Sequence, residues 1–389
     1  MELRLSEEQE MLTDLVRRIC QDSFPTSELR AAEASEAGYS QALWSALVEH
    51  GICGAQVSAD FGGLGLGATE GAVIYEELGR ALANSPHFSS CVLAANLIAL
   101  GGDAAQRGRW LPAIASGEAR LTVASLEPAG DFSPRGVTLA AVWRGDEVAL
   151  SGAKHFVPFG AEADRVLVLA RARDPGAVVS HVVAVLVDPR ADGVTCVRQR
   201  DLAGEPHVAM TFKDVRIPVA EVLNGGEDIW PHWRAAMFQS LIPLAAQAVG
   251  AADQALAMSV AYAKEREAFG RPIGGFQSIA HDLAEALVAV RGARVLVHQA
   301  AWARDTGRPF ERLAAMAKYQ ACAVFRRVSA LTIQVHGGLG YTTACDAQLY
   351  YRRAKQWQIL NWDHALLEDE IGELTLGRRA SAPREAVHV

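Results

Sequence analysis

The chain has 389 residues, of which 50% are hydrophobic and 21% are charged, and its formal net charge is -8. At about 100–200 residues per domain, the length predicts two or three domains, and the apolar fraction argues against intrinsic disorder. The negative charge argues against nucleic-acid binding, which needs a basic surplus. The N-terminal sequence has no secretory pattern, and the longest clean apolar stretch, at 182–187, is too short to span a membrane. Composition therefore predicts a soluble cytoplasmic protein.

The spacing of cysteine and histidine argues against a metal site. The six cysteines lie at least 23 residues apart, and the eleven histidines are equally dispersed. Zinc sites draw their Cys and His ligands from closely spaced pairs, and this sequence has no such spacing. We therefore expect no bound metal and reduced thiols.

Residues 1–118 have the pattern of an α-helical domain. Ser6, followed three residues later by Gln9, has the spacing of a helix-capping box, and apolar residues recur after it at helical spacing. Further helices are expected at 43–49 and 71–82. The glycine-rich segment 61–67 between them is expected to be a loop, because it lacks the spacing of a phosphate-binding loop.

Residues 119–225 change to short β-branched runs separated by turn residues, and residues 226–389 return to long Ala- and Leu-rich segments. Strands are predicted at 121–126, 137–142, 147–150, 166–170, 181–187 and 208–212. This spacing is typical of a small antiparallel barrel or sandwich. The helices predicted at 235–263, 277–305, 311–335 and 346–373 suit a packed bundle.

Three stretches of the sequence resemble signatures of the acyl-CoA dehydrogenase family. The first runs from Tyr262 to Ile273 (YAKEREAFGRPI) and continues into a Phe-Gln pair at 276–277. The second is QVHGGLGY at 334–341, and the third combines FGGLG at 61–65 with EELGR at 76–80. The resemblance covers nearly the whole chain, with the motifs in the family's order.

This resemblance implies an α+β multidomain fold with an N-terminal α domain, a middle antiparallel β-barrel domain and a C-terminal four-helix bundle. It also implies FAD-dependent α,β-dehydrogenation of an acyl-CoA thioester, of fatty-acid or steroid side-chain type, with an electron-transfer flavoprotein or similar acceptor. The chain is expected to form an oligomer, with itself or with a homologous subunit, because the family shares its FAD site across an interface.

Six positions match FAD contacts of the family. Three contact FAD from one subunit and three reach the FAD of a neighbouring subunit; they are, in that order, Arg266, Phe269 and Gln277, and Gln334, Gly337 and Gly338. Arginine suits a pyrophosphate because its N–H groups form a fixed fork. Glycine suits the second set because it permits close approach of the backbone to a ligand.

The middle region resembles the family's flavin-side segments less closely. Leu126 stands where a threonine is common, and Phe156 can keep the packing role of an aromatic residue that lies against the flavin ring. Pro158 replaces a threonine whose hydroxyl contacts the flavin N5 edge, and proline has no donor. We predict that Leu126 and Phe156 contact the cofactor, the alternative being ordinary strand or turn residues.

Family chemistry needs a carboxylate to remove a proton from the acyl α carbon, and the usual positions lack one. Those positions fall on Asn361, Ser240 and Gln247, which cannot act as carboxylate bases. Asp253 and Asp363 are the nearest acids and are weak candidates for the base.

Two interpretations remain open from the sequence. One is an active dehydrogenase with an unrecognised base, and the other is a non-catalytic partner subunit that completes the FAD site of a Glu-bearing homologue. A flavin monooxygenase-like or nitroalkane oxidase-like activity is a third, which no residue favours. Small residues on the first long helix of the bundle, Ala245, Ala246 and Gly250, suggest either room for a bulky acyl group or close helix packing.

Overall fold

The computed structural model describes residues 4–173 and 180–377, and its first part is helical, as predicted. The helices are α1 (Glu7–Ser23), α2 (Thr26–Ala34), α3 (Gln41–Glu49), α4 (Ala68–Arg80), α5 (Ala95–Gly101) and α6 (Ala104–Ala115). The capping box is present at α1: the Gln9 amide donates to Ser6 Oγ (3.3 Å) and the Ser6 amide donates to Gln9 Oε1 (3.0 Å). A π-helical run, Phe88–Ala94, leads into α5.

The middle of the chain forms one seven-stranded sheet. Its strands are β1 (Leu121–Ala124), β2 (Ala140–Arg144), β3 (Glu147–Pro158), β4 (Arg165–Arg173), β5 (Val182–Val187), β6 (Val194–Gln199) and β7 (His207–Pro218). The sequence pattern did not predict β6, in which the three apolar residues Val194, Cys196 and Val197 are interrupted by polar ones and none is buried. Strands β3 and β7 extend to 12 residues each, because they pair with each other over most of their length.

Strand β4 pairs with three other strands of this sheet and qualifies the prediction of an antiparallel barrel. It pairs antiparallel with β5 but parallel with both β1 and β2, so the sheet is mixed. Parallel neighbours need a long crossover, which the β3 region provides. Val166 and Val168 face one apolar core and Leu167 and Leu169 face another, so β4 is an unbroken apolar run rather than an alternating one.

The last part of the chain is a helical bundle, and the prediction of a single final helix is wrong. Its elements are α7 (Trp230–Glu265), β8 (Glu267–Ala268), β9 (Arg271–Pro272), α8 (Gln277–Asp305), α9 (Glu311–His336), α10 (Ala347–Ile359) and α11 (His364–Leu376). The single helix predicted at 346–373 is broken, because Asn361 (φ 52°) and Trp362 (φ 70°) adopt left-handed backbone. The break contains neither glycine nor proline, and its local signals are limited to an asparagine after the end of α10 and an aspartate at the start of α11.

Helices α4 and α7 cross at close range, and glycines make this possible. A Cβ at Gly79 would lie 2.0 Å from the carbonyl oxygen of Gln247, and one at Gly250 would lie 1.8 Å from that of Glu76. Gly250 therefore serves helix packing rather than space for a bulky acyl group. Among the described residues, α7 is the one helix long and apolar enough to cross a membrane, and 78% of its most apolar window is buried inside the protein. It is the central helix of this fold.

Asp305, at the end of α8, caps the N-terminus of α4. Its carboxylate accepts hydrogen bonds from the amides of Ala68 (2.6 Å) and Thr69 (2.9 Å) and from the Thr69 hydroxyl (2.6 Å). We expect Asp305→Ala to lower the free energy of unfolding by about 1–2 kcal/mol, measured by urea unfolding. Asp305→Asn keeps one oxygen acceptor and should lose less, so equal losses in the two variants would contradict the capping role.

Candidate functional site

The segment after α7 forms a tight hairpin that exposes an aromatic ring. Strands β8 and β9 pair antiparallel, which leaves Phe269 and Gly270 as a two-residue turn. Both residues have positive φ, 54° and 79°, as a type I′ turn requires. The Phe269 side chain is 96% exposed, so its ring is available to a ligand or to another chain.

Three polar side chains of the predicted cofactor set flank this hairpin and the end of α9. Arg266 caps the C-terminus of α7, where its carbonyl accepts a hydrogen bond from the Ile273 amide (2.8 Å). Its guanidinium is exposed and has no ion-pair partner within the described part of the chain. Gln277, at the start of α8, and Gln334, in the last turn of α9, are exposed as well. These groups are free to bind an anionic or polar ligand.

A stack of two aromatic rings places the double-glycine motif at the same end of the bundle as Arg266 and the hairpin. Tyr262, one turn before Arg266, stacks on His336 with 4.4 Å between the ring centres, and His336 directly precedes the two glycines. Gly337 has φ 60°, and a Cβ at Gly337 or Gly338 would meet no atom within 4 Å. The structure thus brings together the two motifs that the resemblance assigns to FAD, with open backbone facing outward.

The other predicted cofactor residues lie in the middle sheet. The Leu126 carbonyl accepts a hydrogen bond from the His155 amide (2.9 Å), which places Leu126 next to Phe156. At Phe156 the pairing of β3 with β7 is interrupted, φ is 50°, and the amide donates to Gln199 Oε1 (2.7 Å). Such an irregularity re-aims a side chain. The Phe156 ring is accordingly 40% exposed.

A buried ion pair adjoins Leu126 and Phe156. Lys154 Nζ donates to Glu127 Oε1 (2.7 Å) and to the Ser125 carbonyl (3.3 Å), and the carboxylate also accepts from the amides of Thr138 (2.8 Å) and Leu139 (2.9 Å). Burial lowers the pKa of Lys154 to about 8. Burial alone would raise the pKa of Glu127, but Lys154 and the amide donors outweigh it and lower that pKa. Glu127 is therefore a structural anion that fixes this part of the sheet.

The three predicted base positions lie on α7 and in the break between α10 and α11. In the break, Trp362, next to Asn361, packs edge-to-face on Phe238 of α7 with 5.1 Å between the ring centres. Ser240 follows two residues later on α7 and is fully buried. Gln247 lies two turns further, at the contact with α4. Ser240 accepts a hydrogen bond from the side-chain amide of Asn96 in α5 (3.3 Å), on the side of α7 opposite Phe238, and none of the three positions carries a carboxylate.

Both candidate acids have structural contacts. Asp253 forms an ion pair with Arg80 (2.7 Å), and it lies thirteen residues beyond Ser240, about 20 Å along the helix axis. Asp363 caps the N-terminus of α11, where Oδ1 accepts a hydrogen bond from the Leu366 amide (2.9 Å). Asp253 is therefore outside the region of Ser240, and Asp363 is engaged in capping.

A cavity of about 980 Å³ lies beside the α10–α11 break. Its aromatic walls are Phe132, Trp230, Phe238 and Trp362, and its charged lining consists of Arg135 and Arg234 with the carboxylates Glu311, Glu368, Asp369, Glu370 and Glu373. Arg234 donates to Glu370 Oε1 (3.2 Å), and its guanidinium lies 4.7 Å from the centre of the Phe238 ring. A concave site with aromatic walls and a few oriented polar groups is typical of a ligand pocket.

Comparison with known proteins identifies the family. The acyl-CoA dehydrogenase N-terminal domain matches residues 6–118, and the acyl-CoA dehydrogenase C-terminal domain matches residues 235–363. Acryloyl-CoA reductase (NADH) of Anaerotignum propionicum is 30% identical over 366 residues, which cover 92% of each chain. The chain belongs to the acyl-CoA dehydrogenase family. It is a flavin-linked oxidoreductase that acts on CH–CH bonds.

Solved structures of this family superpose on nearly the whole chain. Butyryl-CoA dehydrogenase from Megasphaera elsdenii is 27% identical with a TM-score of 0.88, covering 97% of this chain and 100% of its own. The ChsE4-ChsE5 complex from Mycobacterium tuberculosis is 27% identical with a TM-score of 0.87, covering 98% and 100%. The acyl-CoA dehydrogenase fold is thus confirmed. The alternative of a non-catalytic subunit is not favoured, because a reductase and a dehydrogenase match along nearly the full length.

Sequence reasoning missed four residues of this site. A lysine inside an apolar strand needs a buried partner, and this signal could have found the pair of Lys154 and Glu127. Nothing in the sequence marks the contact of Trp362 with Phe238, which joins segments more than a hundred residues apart. Within the described ranges, no group of three or more His, Cys, Asp or Glu side chains could hold a metal ion.

Proposed function

We propose that this acyl-CoA dehydrogenase catalyses the FAD-dependent α,β-dehydrogenation of an acyl-CoA thioester. The observation that carries the proposal is a set of exposed groups at one end of the bundle. It comprises the exposed guanidinium of Arg266, the 96% exposed side chain of Phe269 and the open backbone at Gly337 and Gly338. A flavin dinucleotide offers matching partners, since its pyrophosphate suits an arginine fork and its flat rings suit an aromatic side chain.

The middle sheet provides an aromatic contact for the ring face of a flavin but, at Pro158, no hydrogen-bond donor for the edge of the flavin. The Phe156 ring, 40% exposed at an interruption of the strand pairing, can lie against a flat ring system. Pro158 has neither a hydroxyl nor an N–H group, so it donates nothing to the flavin edge. A bound FAD would supply the acceptor for the hydride of the acyl β carbon. The chain's own task is to bind and orient the two molecules.

The cavity beside the α10–α11 break is our candidate for the acyl-thioester site. The reaction needs a group that accepts the α proton, and the amide or hydroxyl side chains of Asn361, Ser240 and Gln247 cannot do so at a useful rate. We therefore propose that one of the five carboxylates lining the cavity accepts the proton. Their position in the lining of the cavity, together with Trp362 next to Asn361, supports this role.

The same proposal includes partners for electron transfer and assembly. We propose that an electron-transfer flavoprotein or a similar acceptor reoxidises the flavin. The outward-facing glycines and the exposed Phe269 ring support a cofactor shared between two subunits, either identical or homologous. The likeness to the ChsE4-ChsE5 complex is compatible with either arrangement.

An absorbance spectrum of the purified protein tests this function. We expect flavin bands, and we expect anaerobic addition of acyl-CoA to bleach them, with free coenzyme A as the control. The panel should span short-, medium- and long-chain acyl groups and a steroid side-chain thioester. A chain that binds no FAD, or a flavin that none of these thioesters reduces, would overturn the proposal. Replacement of each cavity carboxylate by its amide then identifies the base as the variant that retains flavin but is not bleached.

Phe269→Ala tests the cofactor role of the hairpin. Because the ring is almost fully exposed, its loss should change the free energy of unfolding of the apoprotein by less than about 0.5 kcal/mol. FAD affinity, measured by fluorescence titration, should fall at least about tenfold, as expected for one stacked aromatic contact. Met11→Ala, which removes another large exposed side chain, 70% exposed on α1, is the matched control. Equal FAD affinity in the two variants would contradict this role.

A further inference from the structure

Lys318 of α9 is buried and points at the break between α10 and α11. Its Nζ donates hydrogen bonds to the carbonyl oxygens of Leu360 (2.8 Å) and Trp362 (2.5 Å), and the residue is 1% exposed. Burial lowers the pKa of Lys318 to about 8. Burying a cation costs free energy unless the cation is well hydrogen-bonded. The desolvation of this ammonium group is therefore offset mainly by its hydrogen bonds to the two backbone carbonyls.

Those two carbonyls flank the most unfavourable backbone of the bundle. Asn361 has φ 52° and Trp362 has φ 70°. Left-handed backbone is disfavoured for every residue except glycine, less so for asparagine and more so for a bulky residue such as tryptophan. Two such residues in succession persist only where their surroundings hold them. The hydrogen bonds from Lys318 bracket this pair.

The conformation of the break determines a wall of the cavity. Trp362 is 1% exposed and packs on Phe238 with 5.1 Å between the ring centres, and both rings line the cavity. We infer that Lys318 is a positioning residue, which holds the α10–α11 break in its left-handed form and thereby places Asn361 and seats Trp362 against Phe238. Only the expected effect on acyl-CoA binding rests on the proposed function; the expected effect on the conformation of the break does not.

The first test compares Lys318→Met with Cys322→Ala by hydrogen–deuterium exchange. Methionine keeps much of the volume of lysine but donates no hydrogen bond. Cys322 is equally buried one turn later on α9, and its Sγ contacts the Trp357 carbonyl of α10 (3.5 Å) rather than the break. We expect exchange at residues 360–366 to rise at least about tenfold in Lys318→Met and to stay unchanged in Cys322→Ala. Unchanged exchange in both variants would overturn the inference.

Asn361→Gly provides a second test that does not require Lys318→Met to fold well. Glycine adopts left-handed backbone freely, so Asn361→Gly should raise Tm, whereas Asn361→Ala should lower it. The glycine variant should also reduce the Tm loss caused by Lys318→Met, since the lysine then has less strain to hold. Additive Tm changes, or equal losses in the glycine and alanine variants, would mean that Lys318 acts through core packing alone and would defeat the inference.

The third test uses the holoenzyme. We expect Lys318→Met to raise the KM for acyl-CoA about tenfold and to leave the flavin content at the wild-type level. A tenfold change corresponds to the free energy of the one or two hydrogen bonds that the break loses. Cys322→Ala should leave both quantities unchanged. A wild-type KM despite faster exchange would refute the link to the cavity. If the wild-type protein shows no dehydrogenation, the proposed function fails, while the exchange and Tm measurements still decide the role of Lys318 in the break.

Discussion

Replacing Glu127 by leucine is expected to lower the free energy of unfolding by about 3–5 kcal/mol, because it leaves a buried ammonium without its partner. The Lys154 side chain is fully buried, and its other acceptor is the Ser125 carbonyl at 3.3 Å. The amides of Thr138 and Leu139 lose their acceptor as well. Urea unfolding followed by circular dichroism measures the loss. Flavin content should fall with it, because this pair supports the strand that carries the proposed flavin contact.

Two other variants make this expectation specific. Lys154→Met should cost less than Glu127→Leu, since the remaining carboxylate keeps its amide donors, and the double variant should recover part of the loss. The exposed pair of Arg327 and Glu285, with side chains 61% and 65% exposed, supplies the control: Glu285→Ala should stay within about 0.5 kcal/mol of the wild type. A Glu127→Leu variant as mild as this control would show that the buried pair does not hold the sheet.

Gly250→Ala is expected to cost about 3 kcal/mol, at the upper end of the range for overpacking in a well-packed core. The added Cβ would lie 1.8 Å from the carbonyl oxygen of Glu76. A backbone atom cannot move aside as a side chain does, so α4 and α7 must separate. Because α7 carries Phe238, which lines the proposed acyl-CoA cavity, acyl-CoA binding should weaken together with stability. Thermal unfolding and the KM for acyl-CoA measure the two effects.

Gly108→Ala is the matched control for this prediction. Gly108 is an exposed helical glycine of α6, and a Cβ there would meet no atom within 4 Å. The substitution should therefore raise the free energy of unfolding by about 0.5–1 kcal/mol, through the better helix propensity of alanine. If both alanine variants were stabilised, the close crossing of α4 and α7 would be refuted.

Local patterns predicted most of the helices and strands, because each depends on residues close together in the chain. Helix α1 follows from its capping box and apolar spacing, and α8 and α9 follow from long continuous Ala- and Leu-rich segments. Strand β6 was missed because its three apolar residues do not form a continuous run like those of the other strands, and none of them is buried. The parallel partners of β4 were missed because pairing direction depends on how the chain crosses over, which strand patterns do not record.

The cofactor motifs could be recognised from the sequence because each is contiguous, and the structure places them at one end of the bundle through the stack of Tyr262 on His336. The base could not be found in the same way. The carboxylates near the predicted base position come from the start of α9 and from α11, and only the packing of α9 and α11 around the cavity brings them there.

The sequence by itself determined the family and the succession of helices, strands and helices, since these depend on short runs of residues. The tertiary structure alone decided where the last predicted helix breaks. Asparagine tolerates left-handed backbone better than most residues, but Trp362 carries no local signal for it. Their conformation depends on hydrogen bonds from Lys318, more than forty residues earlier, and on packing against Phe238 of α7. Contacts of this kind exist only once the chain has folded.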